Sequence, residues 1–351
     1  MRLVYDNIIF KLQENRPAGI SAYWRQLIDR LAKSDVELRL FGEPTKNIFD
    51  AKEWSQEHES SINYKIRRYL PFLDRLPDGS IFHSSYYRVS LQKNIKNVVT
   101  VHDFTHEYYR SGMAKMVHHW QKGFAIKNAD AIICISENTK KDLIKFFPKT
   151  DPNKLHVIYH GVSDSYFPAY QDAPDKFKDL GKYVLFVGGR GGYKNFDKVV
   201  SALSATSGYR LVIAGGGQLS DEEKNKLDLD LGDRYSIFPI VDEADLNFLY
   251  GGAFAFVYPS AYEGFGMPIL EAMRAGCPVI ASNNSSIPEV AGDAATLLEK
   301  PAPELINSAL KKLENKNFRG DLIRRGLEQS QNFSWDKCFR QTNSLYMELS
   351  S

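Results

Sequence analysis

Short apolar runs alternate with longer amphipathic stretches along nearly the whole chain. Near-continuous runs such as AIICIS, VLFVG, LVIAG and FAFVY fit strands buried on both faces of a parallel sheet. The first half predicts strands at 3–10, 36–41, 80–84, 97–103, 131–136 and 155–160. The second half predicts them at 183–188, 209–214, 235–240, 253–258, 278–282 and 294–298. Between them, apolar residues recur at helical spacing over 20–33, 113–129, 137–147, 196–206 and 304–315. Strand–helix alternation of this kind predicts an α/β fold with parallel sheets. A chain of 351 residues exceeds what one hydrophobic core usually supports, so two domains are expected. The periodicity lapses near 165–181, a Pro-, Asp- and Gly-containing stretch that reads as the interdomain connection. This places one domain at 1–165 and another at 170–333. A last helix, 335–349, follows a polar break at 329–332 and is free to pack apart from its predecessors.

Composition narrows the class. The chain is 43% hydrophobic and 25% charged, as in a water-soluble globular enzyme. No apolar run approaches ~20 residues, so no membrane span is expected. The opening MRLVYDNIIFKLQ lacks the basic start and long apolar stretch of a signal peptide. Cys134, Cys277 and Cys338 are too few and too scattered for a disulfide framework or a metal knuckle. A cytoplasmic location is the default. Residues 1–170 hold 25 Lys+Arg against 19 Asp+Glu, whereas residues 171–351 hold 20 against 24. The basic first half suits a polyanionic or membrane-surface partner. Nothing points to nucleic acid.

The most informative segment is 257–295, VYPSAYEGFGMPILEAMRAGCPVIASNNSSIPEVAGDAA. A strand ends in a turn; Gly264 and Gly266 follow; Pro268 opens a helix that Gly276 closes. Glu263 therefore sits just before a helix N-terminus and Glu271 one turn into the helix. Backbone amides and the positive end of the helix dipole point at the same spot. Such a place suits a diphosphate, with two carboxylates available to sugar hydroxyls.

The spacing of Glu263 and Glu271, followed by G-x-PV and PEVAGDAA, resembles the Glu–x7–Glu signature of the family 4 retaining glycosyltransferases. The likeness extends over nearly the whole chain and is strongest from 183 to 295. It implies a GT-B fold: two Rossmann-like domains facing each other across a cleft. The first would bind the acceptor and the second the nucleotide sugar, with the 335–351 helix packing back on the first. It implies that Glu271 holds the donor ribose and Glu263 the donor sugar. The amides around Gly264, Phe265, Gly266 and Met267 would meet sugar or phosphate.

The turn FVGGRGGYKNFD follows a strand and opens a helix, which is a phosphate-cradling arrangement. A dinucleotide fingerprint would need Gly at 189, 191 and 194, and position 194 is Lys, so a dehydrogenase is excluded. Arg190 and Lys194, next to Gly189, carry positive charge where a departing diphosphate needs it. The resemblance assigns a basic pair at this turn to the donor pyrophosphate. His102 and Asp103 close a candidate strand, where open parallel sheets bind ligands, and the family carries a histidine at the position of His102, near the donor sugar. His83, Ser136, Glu137 and Gly215–Gly217 stand at other strand ends. RPAGISAYW resembles the family's first glycine loop. There Ala18 replaces the first glycine, and Gly19 remains to approach the donor phosphate.

Asp228-x-Asp230 mimics a metal-binding Asp-x-Asp motif. It lies at the far end of a helix opened by a Ser220–Glu223 capping box, so a solvated helix end is expected and no metal. Two segments, 64–75 and 113–123, mix basic and apolar residues. They fit docking on anionic lipid and equally a plain amphipathic helix packed on the first domain.

The expectation is a metal-independent, retaining hexosyltransferase with no cofactor beyond its nucleotide-sugar substrate. Retention would use Glu263 as a nucleophile or a same-face displacement. YDNIIF, FHSSYY and VGGRGGYKN resemble mannosyltransferase-type members that act in bacterial surface-polysaccharide assembly. GDP-mannose is therefore the leading donor, ahead of UDP-sugars, and a glycan or lipid-linked glycan the acceptor. A sugar-nucleotide epimerase, a phosphorylase and a non-catalytic nucleotide-sugar binder are the rivals.

Overall fold

The computed structural model describes residues 1–14, 19–43, 45, 56–57, 63–168 and 174–351. The chain divides into two compact units, Met1–Gly161 with Trp335–Ser351 and Val162–Ser334.

The first unit begins with β1 (Arg2–Asp6), α1 (Ile8–Leu12), α2 (Gly19–Leu31), β2 (Glu37–Phe41), β3 (Gln56–Glu57) and α3 (Tyr64–Arg67). It continues through β4 (Ile81–Ser84), β5 (Lys96–Val101), α4 (Thr105–Tyr109), α5 (Gly112–Asn128), β6 (Ala131–Cys134), α6 (Glu137–Phe146) and β7 (Leu155–Val157). The strands form one sheet in the order β3-β2-β1-β4-β5-β6-β7, and every pairing is parallel. Strands β4 and β6 are buried throughout, as their apolar runs require.

The second unit contains β8 (Tyr183–Val187), α7 (Phe196–Ser204), β9 (Arg210–Ala214), α8 (Asp221–Leu231), β10 (Tyr235–Phe238), α9 (Glu243–Gly252) and β11 (Ala255–Tyr258). Then come α10 (Met267–Arg274), β12 (Val279–Ser282), α11 (Ile287–Ala291), β13 (Thr296–Leu298), α12 (Pro303–Leu313) and α13 (Lys316–Ser330). Its sheet runs β10-β9-β8-β11-β12-β13, again all parallel. Its core joins β8, β9 and β11 to α7 and α12 through Phe186, Val199, Ile213, Val257 and Leu310. Read from the first strand of each, both sheets carry the order 3-2-1-4-5-6, to which the first adds a seventh strand at the edge, and each has a switch point between its first and fourth strands.

The last helix, α14 (Trp335–Ser350), groups with the first unit. It is held there by a buried chain of hydrogen bonds. The Tyr346 hydroxyl lies 2.6 Å from the Tyr5 hydroxyl and 2.5 Å from His83 Nδ1. His83 Nε2 lies 2.9 Å from Thr100 Oγ1, which lies 3.1 Å from the Tyr23 hydroxyl.

Three sequence expectations change. The strand expected at 3–10 stops at Asp6, and Ile8–Leu12 is helical. Asp6 is wholly buried and accepts from Ser84 Oγ (2.6 Å), Ser85 Oγ (2.5 Å) and the Ser85 amide (3.0 Å); these bonds end the strand where apolarity alone would continue it. The two-residue β3 has no apolar alternation to announce it. The stretch around 165–181 is largely part of the second unit. Tyr166 and Phe177 are buried, and the Phe167 amide donates to Asn247 Oδ1 at 3.0 Å. Ala18 lies outside the described residues. Among the described residues no helix is long and apolar enough to cross a membrane.

Candidate functional site

In the second unit the candidate residues collect around the switch point between β8 and β11. Strand β8 ends at Val187, and the amide of the next residue, Gly188, donates to the Ala214 carbonyl at 2.8 Å. Beside it, Gly216 has φ +76, and a Cβ there would run into the Gly188 carbonyl oxygen. Only glycine allows the β8 and β9 turns to lie this close. The exposed Gly189, Gly191 and Gly192 carry the chain to Lys194.

Asn195 is left-handed (φ 53) at the start of α7, a conformation asparagine tolerates. Its Nδ2 donates to the Pro259 carbonyl at 2.8 Å. The Ala261 amide donates to the Tyr193 carbonyl at 2.7 Å. These bonds tie the β8 turn to the β11 turn, and they bring Lys194 to Glu263: Nζ to Oε1 is 2.6 Å, with side chains 19% and 13% exposed. The Lys194 ammonium also lies 5.1 Å from the Tyr193 ring centre and 5.5 Å from that of Tyr258. Burial first, and Glu263 second, push the Tyr258 hydroxyl's ionisation well up, so it stays protonated beside that carboxylate.

The turn bearing Glu263 is clamped from β12. The Glu263 amide donates to Ser285 Oγ at 3.0 Å, and Ser286 Oγ reaches the carbonyls of Glu263 (2.9 Å) and Phe265 (2.8 Å). The Phe265 ring is buried against Phe333, with centres 5.9 Å apart. Gly266 then adopts φ 110 as the N-cap of α10, which no side chain caps. The first turn of α10, Met267 and Pro268 included, thus presents its dipole without a competing side-chain acceptor. Deeper in the helix, Glu271 Oε2 accepts from the Tyr250 hydroxyl at 3.0 Å. Burial raises the Glu271 carboxyl to about 7, Tyr250 opposes the rise, and the Glu243 carboxylate adds to it. Glu271 therefore titrates near neutrality, against its ordinary acid range.

Arg190 has other partners than the sequence suggested. Its Nε and Nη2 hold Glu223 at 2.8 and 3.2 Å. Its guanidinium also reaches the carbonyls of Gly217 (3.3 Å) and Gln218 (2.8 Å). The side chain is 5% exposed. Arg190 fastens the glycine turn after β9 to the start of α8, where Ser220 and Glu223 form the expected capping box. Asp228 accepts from the Tyr235 hydroxyl at 2.7 Å. Among the described residues no group of three His, Cys, Asp or Glu side chains is arranged to hold a metal ion.

In the first unit, His102 follows β5. Its ring stands edge-on to Tyr23, centres 5.3 Å apart, and 5.8 Å from the ring of His160. Both ring nitrogens are shielded from solvent and neither has a hydrogen-bond partner. Burial lowers its pKa to about 4, Lys122 adding to the fall and Asp103 opposing it. His102 is thus a neutral imidazole at neutral pH, and an unsatisfied buried polar group of this kind calls for a role. Asp103 turns its carboxylate to the Thr105 amide at 3.0 Å, and His106 stacks on His118 at 4.0 Å. Gly19 opens α2.

Sequence reasoning missed Ser285, Ser286, Asn195, Tyr250 and Tyr258. The run SNNSS at the end of β12 was the available signal: a polar cluster at the carboxyl end of a buried strand.

Comparison with known proteins identifies the family and the fold. Residues 171–329 match the glycosyl transferases group 1, and residues 17–166 match Glycosyltransferase Family 4. The O-antigen chain mannosyltransferase B of Escherichia coli is 30% identical, over 93% of this chain and 95% of that one. The O-antigen chain mannosyltransferase RfbU of Salmonella typhimurium is 28% identical, over 70% and 68%. Among solved structures, sucrose-phosphate synthase from Thermosynechococcus elongatus superposes with a TM-score of 0.77 at 19% identity, covering 99% of both chains. Anabaena HepE in complex with UDP and glucose also gives 0.77, at 14% identity, covering 99% and 100%. Two Rossmann-like sheets, family matches over 171–329 and 17–166 and a relative 30% identical over nearly its whole length lead to one assignment: the chain belongs to the family 4 glycosyltransferases of GT-B fold.

Proposed function

We propose that the protein is a retaining, metal-independent mannosyltransferase. It would move mannose from GDP-mannose to a glycan or lipid-linked glycan acceptor of bacterial surface polysaccharide. The observation that carries the chemistry is the Lys194–Glu263 pair of 2.6 Å beside the uncapped start of α10. An ammonium and a helix N-terminus together suit a leaving diphosphate. Glu271 takes the ribose hydroxyls, and Glu263 the sugar hydroxyls once Lys194 turns to phosphate. His102, uncharged, hydrogen-bonds a substrate hydroxyl.

With Glu263 engaged by the sugar hydroxyls, this reading leaves no carboxylate to attack the anomeric carbon, which favours same-face displacement over a covalent intermediate. In that step the bond from the anomeric carbon to the phosphate oxygen breaks. A bond to the acceptor oxygen forms on the same face, and the acceptor's proton passes to the departing diphosphate. The choice of mannose is supported by the names of the two O-antigen relatives and of the serotype-specific mannosyltransferase WbdA of Escherichia coli, 28% identical over 72% of this chain.

The test is a donor screen with GDP- and UDP-sugars in the presence of EDTA, reading nucleoside diphosphate release for wild type and Glu271→Ala. Release from GDP-mannose that the variant loses supports the reading. Release from a UDP-sugar alone overturns the donor assignment, and release that requires an added divalent ion overturns metal independence.

A further inference from the structure

Asn195 and Ser285 hold their backbones at φ 53 and φ 51, and among the described residues every other residue at positive φ is glycine. Glycine takes this region freely, whereas a residue with a Cβ is crowded there, serine more than asparagine. Neither side chain is called for by the core, since both residues are only partly buried. Where the backbone suits glycine and a polar side chain stands instead, that side chain has to offset the strain by what it contacts.

Both contacts fall on one turn. Asn195 starts α7 without capping it, and its Nδ2 donates instead to the Pro259 carbonyl at 2.8 Å. Ser285 Oγ accepts from the Glu263 amide at 3.0 Å. Strand β11 lies between β8 and β12 in the sheet, so the two strained residues come from the turns that follow its two neighbours. They hold the 259–263 turn at its start and at its end. Lys194 is the chain neighbour of Asn195, so one clamp sets the ammonium and the other the carboxylate of the 2.6 Å pair.

Ser286 shows the unstrained alternative. Its φ is −79, it is fully buried, and its hydroxyl meets the carbonyls of Glu263 and Phe265. The turn is thus attached without Asn195 or Ser285, and what those two add is alignment.

We propose that Asn195 and Ser285 are positioning residues that align Lys194 and Glu263 for the transfer step, each keeping a strained backbone for its side-chain hydrogen bond. The inference rests on the transferase reading. Asn195→Gly and Ser285→Gly remove the hydrogen bond and the strain together. Each should lower kcat about tenfold or more, with donor KM changed less than about threefold and the melting temperature within about 3 °C of wild type. Asn195→Asp tolerates the same backbone without the N–H donor and should lose turnover with Asn195→Gly. Ser285→Ala keeps the strain without the hydroxyl, so it should share the turnover of Ser285→Gly and melt below it. Near-wild-type turnover in both glycine variants, with lowered melting temperatures, overturns the proposal and makes the two residues ordinary fold contacts.

A second readout needs no turnover. In the ligand-free protein, labelling of Lys194 by a dilute amine-reactive ester is followed by peptide mass spectrometry. It should quicken about threefold or more in both glycine variants, because an ammonium less well held by Glu263 gives up its proton more readily. An unchanged rate in both overturns the proposal. A wild type that releases no nucleoside diphosphate from any donor overturns the transferase reading instead, and the labelling rates then decide alone whether the two residues align the pair.

Discussion

The two sheets share the order of their first six strands and treat their carboxyl ends in opposite ways. In the first unit the strand ends are sealed. Asp6 and Arg88 are both fully buried, 3.4 Å apart, and Arg88 Nε also donates to the Leu70 carbonyl at 3.1 Å. His83 is enclosed between Thr100 and Tyr346. In the second unit the strand ends open onto glycines, a part-exposed ammonium–carboxylate pair and an uncapped helix. A shared topology therefore offers a ligand site at each switch point, and the side chains decide whether it is filled by protein. Polar groups in the first unit mostly serve the fold, and His102, with neither ring nitrogen hydrogen-bonded, is among the exceptions. Those at the switch point of the second would, in the proposed function, serve a ligand.

The sharpest way to break that contrast is to disturb the sealed end. Arg88→Ala leaves Asp6 as a buried, uncompensated charge and should cost about 3–5 kcal/mol of stability. Denaturant titration reads this, and turnover per folded molecule should stay close to wild type. A fully stable but inactive Arg88 variant would turn the first unit's end into a ligand site and undo the comparison. Next, Lys194→Ala should lower turnover by about 10²-fold or more with little change in melting temperature. A variant that melts early and keeps its turnover would make the Lys194–Glu263 pair a structural pin.

A smaller effect comes from Glu271. Its carboxyl is raised from 4.5 to about 7, so its contribution to stability is complete below about pH 4.5 and is lost as pH rises through about 7. In the ligand-free protein Glu271→Gln should therefore remove a stability loss of order 1–3 kcal/mol between those limits. Melting curves across that range check it, and a wild-type profile as flat as the variant's would refute it. Arg190→Ala should lower turnover far less than Lys194→Ala. Its guanidinium is occupied by Glu223 and the turn after β9, so catalysis should fall by less than about tenfold, with stability down by about 1–2 kcal/mol. A loss matching Lys194→Ala would restore Arg190 to the diphosphate.

Much of this was written locally. Buried strands such as YVLFV and AFVY announce themselves by apolar runs, the capping box by Ser220 and Glu223 three residues apart, and α10 by its glycines and Pro268. Such signals lie within a few residues of one another, where backbone preference and helix or strand periodicity act. They determined the α/β class, the strand–helix order, the positions of Glu263, Lys194 and His102 at element ends and that of Glu271 one turn into α10. The tertiary structure decided which of those groups meet. Lys194 and Glu263 are 69 residues apart, and Tyr250 and Glu271 are 21 apart. Arg190 and Lys194 are near neighbours in the chain yet take different partners, because one side chain turns to α8 and the other to the β11 turn. The end of β1 at Asp6 was likewise set by hydrogen bonds from Ser84 and Ser85, not by its apolar neighbours Ile8 and Ile9. Hydrogen bonds and ion pairs act over a few ångströms of space, whatever the separation along the chain, so only folding can select them.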